Sequence, residues 1–336
     1  SDRAVERTRL TLLVEDLVNL AGAIPAGKSF PSLELLLARG DFRLVPTPGA
    51  DGQRMSLFGL PSGDVPVAAL TRLADGGGHM PDGRYWLRAD AVSQQADMIR
   101  VFMTGAGLEG LTGSEQQDVC RCIEQVFEDE GLDYSTGHNG RWSLALESPP
   151  GFSFLPLEDA LGQNMADALP AEKEARNWRR IMNEAQVALH NHPVNIEKRQ
   201  SGQVLVNGIW IWGGGFLPDP VADTPFDTAF SAHPVSRGLA LLNKTELQEL
   251  DSFSPALSMT GGRILLDWTV ESRDAAVELD RLENLFHDLL KPLRNGSLSL
   301  LLVGSGGEAW EIDRKALRRF WRRPAPLQEL IGRRTP

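Results

Sequence analysis

The sequence predicts an α/β protein built on a mostly parallel sheet flanked by helices, and three observations carry that reading. Short apolar runs of strand length recur at 9–14, 206–212, 263–268 and 297–303. Segments with apolar residues at helical spacing, at 31–40, 114–131, 172–191 and 274–290, are interleaved with them. Strands that alternate with helices pair in parallel, because the crossover helix returns the chain to the same end of the sheet. With 336 residues, 42% of them hydrophobic, the chain can bury a substantial core as one large or two modest domains.

Each element has its own local reason. RLTLLV at 9–14 reads as a central strand buried on both faces. In PSLELLLARG at 31–40, Leu33, Leu36 and Leu37 share a helical face, with Ser32 near the start and Gly40 at the stop. The stretch from there to about residue 80 is rich in turn formers and ends in ADGGGH, so irregular surface structure is expected. YWLRADAV at 85–92 has strand character. SEQQDVCRCIEQVFEDEG at 114–131 is a helix with Ser114 and Gln117 as a capping box, Val119, Ile123, Val126 and Phe127 on one face, and Gly131 at its close. RWSLALE at 141–147 alternates like a strand. Acidic residues open the helix of 172–191, which buries Trp178, Ile181, Met182, Ala185 and Leu189. VNGIWIW at 206–212 alternates as a strand and runs into Gly213, Gly214 and Gly215. RILLDW at 263–268 is another strand. The helix of 274–290 turns Leu282, Leu285, Phe286 and Leu289 inward, with Pro292 just past its end, and the strand SLSLLLV at 297–303 follows.

A net charge of −11 opposes broad attraction to nucleic acid or to an anionic membrane, since the long-range field repels both. Cys120 and Cys122 lie two apart in a helix and point about 200° from each other, which suits neither a disulfide nor a zinc site. The N-terminus has no signal-peptide pattern and no apolar run approaches the ~20 residues of a membrane span, so a cytoplasmic location and no membrane contact are expected. GxSxG, Walker, HExxH, CxxC and helix-opening GxGxxG patterns are missing from the sequence. Gly213 to Gly215 have the free N–H groups of a phosphate cradle, but basic neighbours are lacking and Pro218 follows, so a structural turn is favoured. His190 and His192 have a spacing that serves a metal in an extended segment, yet no carboxylate or third histidine adjoins them, and capping a helix end is favoured. From Asp313 to Arg323 an amphipathic basic helix is expected. It puts Leu317, Phe320 and Trp321 on one face and crowds Arg314, Lys315, Arg318, Arg319, Arg322 and Arg323 on the rest. Packing on the sheet is favoured there, with Arg318, Arg319, Arg322 and Arg323 as the candidates for an anionic partner or a nucleic-acid backbone.

HPVNIEKRQSGQVLVNGIWIWGGG at 192–215 resembles a hallmark of archaeal-type, cofactor-independent phosphoglycerate mutases of the alkaline phosphatase superfamily. His192, Pro193, Val194 and Asn195 match, Arg199 lies in the family's basic stretch, and Asn207 enters the strand, but Trp212 stands where the family has an arginine. TLLVEDL and PSLELLLARG resemble the family's first strand, metal-binding aspartate and following helix, which implies that role for Asp16. SAHPVSRGLALL at 231–242 looks like the stretch after the glycines. The segment from 263 to 290 resembles the family's H-E-x-x-D-x-x-x-H stretch, with Asp267 at the first histidine, Ser272 at the aspartate and Ala276 at the last histidine. Val303, Gly304 and Ser305 stand where an Asp-His pair is expected, and Ser29 and Ser32 lie beyond the turn that would hold a serine nucleophile. The resemblance implies a discontinuous core, 1–78 with 201–325, an inserted α+β subdomain at 79–200 and a tail at 326–336. It leaves Asp16 and Asp267 as remnants of a two-metal site that needs several more anionic or imidazole ligands.

The chain is more closely similar to the bacterial RpfE-type regulatory proteins, along nearly its whole length. That similarity rests on ADGGG at 74–78, WLRAD at 86–90, the NEAQ helix with HNHPVN at 183–195, W-x-WGGG at 210–215 and FWRRPAPL at 320–327. Ala91, Val92 and Ser93 depart from the Pro-Val-His-like run that follows WLRAD in that group. A regulatory or accessory role is what this implies. The leading expectation is a non-catalytic protein without a cofactor that binds a protein partner or a small anionic ligand. Its ligand candidates are His190, His192, Asn195, Arg199, Asn207, Trp210, Trp212, Gly213, Gly214 and Gly215. The alternative is a manganese- or zinc-dependent phosphoryl-transfer or hydrolytic enzyme in which Asp16, Asp75, His190, His192, Asp223 or Asp267 converge. A third reading is a nucleic-acid-associated accessory protein using Arg318, Arg319, Arg322 and Arg323.

Overall fold

A computed structural model describes residues 7–25, 27–45, 49–76 and 83–332. In chain order its elements begin with β1 (Thr8–Val14), α1 (Leu17–Gly22), α2 (Pro31–Arg39), β2 (Asp41–Leu44), α3 (Gly49–Leu57) and α4 (Val67–Asp75). There follow β3 (Tyr85–Ala96), β4 (Val101–Ala106), α5 (Gly113–Asp129), β5 (Asp133–Thr136), β6 (Arg141–Leu146), α6 (Leu157–Ala160) and α7 (Met165–Ala168). Next are α8 (Arg176–His190), α9 (Pro193–Gln200), β7 (Gly208–Gly215), β8 (Thr228–Ser231), α10 (Pro234–Leu242), β9 (Glu246–Gln248) and α11 (Pro255–Ser258). The chain ends with β10 (Arg263–Trp268), α12 (Ala275–Asn295), β11 (Leu298–Gly304), β12 (Glu308–Ile312), α13 (Arg314–Leu317) and α14 (Leu327–Gly332).

The chain divides into two compact units, 1–64 with 219–336, and 65–218. In the first, seven strands lie in the order β2-β12-β11-β1-β10-β8-β9. The five from β11 to β9 are parallel, and β12 and β2 extend the sheet antiparallel at one edge. Because strand side chains alternate between faces, Leu10, Leu12 and Val14 of β1 share one side with Ile264 and Leu266 of β10 and Leu298, Leu300 and Leu302 of β11. The helices α1, α2, α12, α13 and α14 cover that side, with Leu33, Leu36, Leu282, Phe286, Leu289, Leu317 and Leu330 buried against it. The opposite side carries a much smaller cluster, Leu13, Val303 and Ala309 with Leu57 of α3 and Leu301 packed on it. Thus β1 is buried on both faces only toward its C-terminal end; Arg9 is exposed and Thr11 half-buried.

The second unit holds an antiparallel five-stranded sheet, β4-β3-β6-β5 with β7 also on β3. The helices α5 and α8 pack on each other, α8 also lies against β7, and α4 packs on β3 and β7. The five predicted inward residues of α8, Trp178, Ile181, Met182, Ala185 and Leu189, are all buried. No helix among the described residues is long and apolar enough to cross a membrane.

Several sequence expectations are corrected. VNGIWIW pairs antiparallel with β3, so β7 belongs to the second unit and not to the parallel core, and α4 goes with it. The segment 326–336, read as a tail, contains α14, whose Leu327, Leu330 and Ile331 enter the main core. The turn-rich stretch after residue 40 contains β2, α3 and α4. The capping box of α5 is formed by Thr112 and Glu115, two residues earlier than read, because Thr112 Oγ1 accepts from Glu115 N while Glu115 Oε2 accepts from Thr112 N. Pro292 lies inside α12, which continues to Asn295 and stops at Gly296 in the left-handed region at φ 86°.

Candidate functional site

In an open parallel sheet the carboxyl ends of the strands are where ligands gather. Here β1, β8 and β10 end side by side, with Leu13 in register with Asp267 and Asp267 with Ser231. Asp267 points away from the large core, since β10 sends Ile264 and Leu266 there and its alternate residues to the other side. It is fully buried. The segment that reaches over it is α3, whose Asp51 and Arg54 are three apart and so share a helical face.

Arg54 is 2% exposed, and each of its three guanidinium nitrogens donates to a carboxylate. Nε donates to Asp267 Oδ2 at 3.0 Å and Nη2 to Asp267 Oδ1 at 3.2 Å. Nη1 donates to Asp51 Oδ1 at 3.0 Å, and Nη2 also to Glu15 Oε2 at 2.8 Å. Asp267 Oδ2 accepts in addition from Ser236 Oγ at 2.6 Å and Ser231 Oγ at 3.2 Å. Burial alone would push the Asp267 carboxyl up. The charge of Arg54, then His233, and the bonds from Arg54 and Ser236 outweigh it and hold the group below the ordinary carboxylate range. Burial would likewise release the Arg54 proton, but Asp267, Asp51 and Glu15 raise its pKa further above an already high value. His233 Nε2 stands 4.0 Å from Asp51 Oδ1, while its Nδ1 accepts from Val235 N and caps α10. Burial first and Arg54 second lower the His233 pKa below its ordinary 6.5.

Two divalent cations do not fit this set of groups. Both oxygens of Asp267 already carry hydrogen bonds from a guanidinium and two hydroxyls, and the positive charge at the centre of the carboxylates belongs to Arg54. Asp16 is exposed, sits in the left-handed region at φ 60° and accepts from Asn19 Nδ2 at 3.3 Å. Among the described residues no three His, Cys, Asp or Glu side chains are grouped so as to hold a metal ion. The loop after β10, where the resemblance expected two further ligands, is tied off by Glu278. This buried carboxylate accepts from Trp268 Nε1 at 2.8 Å, Ser272 N at 3.1 Å, Glu271 N at 3.2 Å and Arg281 Nη1 at 2.9 Å. Beyond β11, Glu308 Oε2 accepts from Gly306 N and its side chain fills the space beside Gly304.

The sequence-derived candidates of the second unit have other duties. His192 Nδ1 accepts from Val194 N and caps α9; His190 meets Arg199 Nη2 at 3.2 Å through Nδ1 and at 3.1 Å through its carbonyl. Asn195 is buried and donates to the Leu189 and Val206 carbonyls. Asn207 pairs with the backbone of Gln94 through both its amide atoms, and Trp210 donates to the Leu155 carbonyl. Trp212 donates to Asp90 Oδ2 at 2.5 Å, and Arg88, bonded twice to Asp90, lies 5.1 Å over the Trp212 ring. A guanidinium therefore does stand at the end of β7, supplied by the neighbouring strand and neutralised by Asp90. A Cβ on Gly214 would strike Tyr85, and one on Gly215 would strike Pro66, so this glycine run admits neighbouring side chains where a phosphate cradle would be open. Asp75 is paired with Arg141 in the second unit, and Asp223 is exposed in the first. Of the ADGGG motif, residues 77 and 78 lie outside the described residues.

The basic C-terminal helix is also corrected. Only α13, Arg314–Leu317, is helical, because Arg319 and Arg322 turn back to bond Asp41 and the carbonyls of Arg39 and Gly40 at the end of α2. Leu317 is buried, whereas Phe320 and Trp321 are 76% and 66% exposed and pack on each other edge to face.

Sequence reasoning missed Asp51, Arg54, His233 and Glu278. The Asp-x-x-Arg spacing at 51–54 was a helical signal, hidden by the glycines around it.

No family model matches the chain. It is 24% identical over 217 residues to a probable 2,3-bisphosphoglycerate-independent phosphoglycerate mutase of Geobacter sulfurreducens, covering 61% of this chain and 53% of the relative. The 2,3-bisphosphoglycerate-independent phosphoglycerate mutase of Methanosarcina acetivorans is 24% identical over 201 residues, 56% of this chain and 49% of that protein. The chain thus spans about half the length of the curated relatives it matches. Among solved structures, the PH0037 protein of Pyrococcus horikoshii superposes with a TM-score of 0.55 at 13% identity, over 99% of both chains, and shares the fold. The chain therefore has a mixed α/β fold with a central sheet flanked by helices, and over part of its length it is homologous at low identity to 2,3-bisphosphoglycerate-independent phosphoglycerate mutases.

Proposed function

We propose that this chain is a phosphoglycerate-mutase-like protein that has given up catalysis and acts in a regulatory or accessory binding role, akin to the RpfE-type regulatory proteins of bacteria. The observation that supports it is Arg54, whose single guanidinium takes up Asp267, Asp51 and Glu15 at the strand ends. Metal-assisted phosphoryl transfer draws its transition-state stabilisation from cations clamped on the reacting oxygens. Arg54 spends four of its five N–H groups on three carboxylates that more than offset its charge, so it offers a phosphoryl group little, and Ser231 and Ser236, hydrogen-bonded to Asp267 and fully buried, are not placed as nucleophiles. In this reading the protein needs no cofactor, works in the cytoplasm, and meets a protein partner or a small anionic ligand. A coupled assay for the interconversion of 3- and 2-phosphoglycerate, with manganese or zinc supplied, tests it. The expected turnover is indistinguishable from the protein-free control; turnover that disappears in Asp267→Asn would overturn the reading.

A further inference from the structure

The parallel sheet of the first unit is covered unequally, and the difference has a chemistry. On the side opposite the large core, α3 packs toward the C-terminal ends of β1 and β11, and beside it the described residues leave a groove of about 470 Å³. Ligand pockets of ordinary size run from roughly 300 to 1,000 Å³. Its floor is Thr11 and Leu301, with Leu57 of α3 as a wall, all half-buried apolar or weakly polar surface. Three arginines reach it, Arg9, Arg43 and Arg263, and among the described residues no carboxylate lines it, in a chain whose net charge is −11. Two of the three carry exposed ion pairs, Arg43 with Glu311 at 3.1 Å and Arg263 with Asp227 at 2.8 Å. Such pairs contribute little, so a ligand anion can share or replace them at small cost. Arg9 makes no ion pair among the described residues.

We infer that this groove binds a small anionic amphiphile, an aliphatic or aromatic body with one carboxylate, the body on Leu301 and Leu57 and the carboxylate on Arg9. Apolar surface left on one face of an α/β sheet is ordinarily covered, and Leu301 and Leu57 are only half-buried here. A body alone would bind an apolar groove with any head group; the arginines without lining carboxylates select an anion. The inference goes beyond the reading of the strand-end cluster, since neither Arg54 nor its partners line the groove. Loss of one therefore does not entail loss of the other.

The test uses the full chain with decanoate as ligand, followed by isothermal titration and by displacement of the anionic dye 8-anilinonaphthalene-1-sulfonate, with decanol as the uncharged comparison. Decanoate should bind saturably at one site and decanol clearly more weakly. Arg9→Gln should weaken decanoate about fivefold, the scale of one exposed charge contact. Leu301→Trp should weaken it at least about tenfold by filling the floor. Ser56→Trp, a substitution at an exposed position that also lines the groove, gives a second block should Leu301→Trp disturb folding. Non-saturable uptake, equal binding of decanol, or decanoate binding unchanged in both tryptophan variants would overturn the proposal. So would concentration-dependent dimerisation that Ser56→Trp abolishes, which would assign the groove to a second copy of the chain.

Discussion

Arg54 and Asp267 meet in a two-pronged bond, Nε to Oδ2 at 3.0 Å and Nη2 to Oδ1 at 3.2 Å, with both side chains almost wholly buried. Removing one member of such a pair leaves the other charge in the interior without a partner, which costs about 3–5 kcal/mol. Arg54→Ala is accordingly expected to lower the stability by about that amount in urea unfolding. The double variant Arg54→Met with Asp267→Leu should be more stable than Arg54→Ala, because it removes both charges and restores apolar contact.

His233 sets the upper part of the pH dependence. Its pKa in the folded chain lies below 6.5, through burial first and the charge of Arg54 second, while Asp51, Asp267 and Glu15 pull it the other way. As the pH falls below 6.5 the unfolded chain takes up the proton first, so stability declines over that window. Chemical denaturation from pH 8 to about pH 5 should show this decline. His233→Gln, which keeps an acceptor for Val235 N, should flatten it; an unchanged slope would assign the decline to other groups.

Asp267 acts at the acid end. Its folded pKa lies below 3.8, so its contribution is present above that value and is lost as the pH falls through the lowered one. Asp267→Asn should be less stable than the parent at neutral pH, and the difference should narrow only in strong acid.

Glu278 is the anchor of the loop after β10. Glu278→Gln keeps its size but weakens the acceptor for four donors, and a loss of about 1–3 kcal/mol is expected. Limited proteolysis should cut near Ser272 faster in this variant, since two of the lost bonds hold the backbone of Glu271 and Ser272.

Asp41 makes the contrasting case. It joins Arg319 and Arg322 on an exposed surface, 54% of its side chain in solvent, so Asp41→Ala should cost less than about 1 kcal/mol. Added salt should erase most of that difference.

The helices with wide apolar stripes were legible in the sequence, because periodicity alone fixes which face is buried; α8 and α12 are examples. Of the twelve strands among the described residues, six were found, β1, β3, β6, β7, β10 and β11, and their sheets were not all assigned; the others are mostly short, three to six residues, with little alternation to mark them. VNGIWIW has the same local pattern whether it joins a parallel or an antiparallel sheet, and only its pairing with β3 decides. The strand-end cluster was half legible. Asp267 stood out by resemblance, while Arg54 lay in a glycine-rich stretch whose helix is fixed by contacts that are distant in sequence, 213 residues away for its bond to Asp267. Phe320 and Trp321 followed the helical spacing of Leu317, but the pull of Asp41 on Arg319 and Arg322 ends the helix before they can turn inward.

We propose that Arg54 takes, among the carboxylates at the strand ends, the place that the family resemblance implies for two cations. Titrating the purified chain into manganese at micromolar concentration, and following the free-ion signal by electron paramagnetic resonance, tests it most directly. The account predicts that the free-ion signal is undiminished by the parent chain. Stoichiometric loss of the signal, abolished by Asp267→Asn, would contradict it.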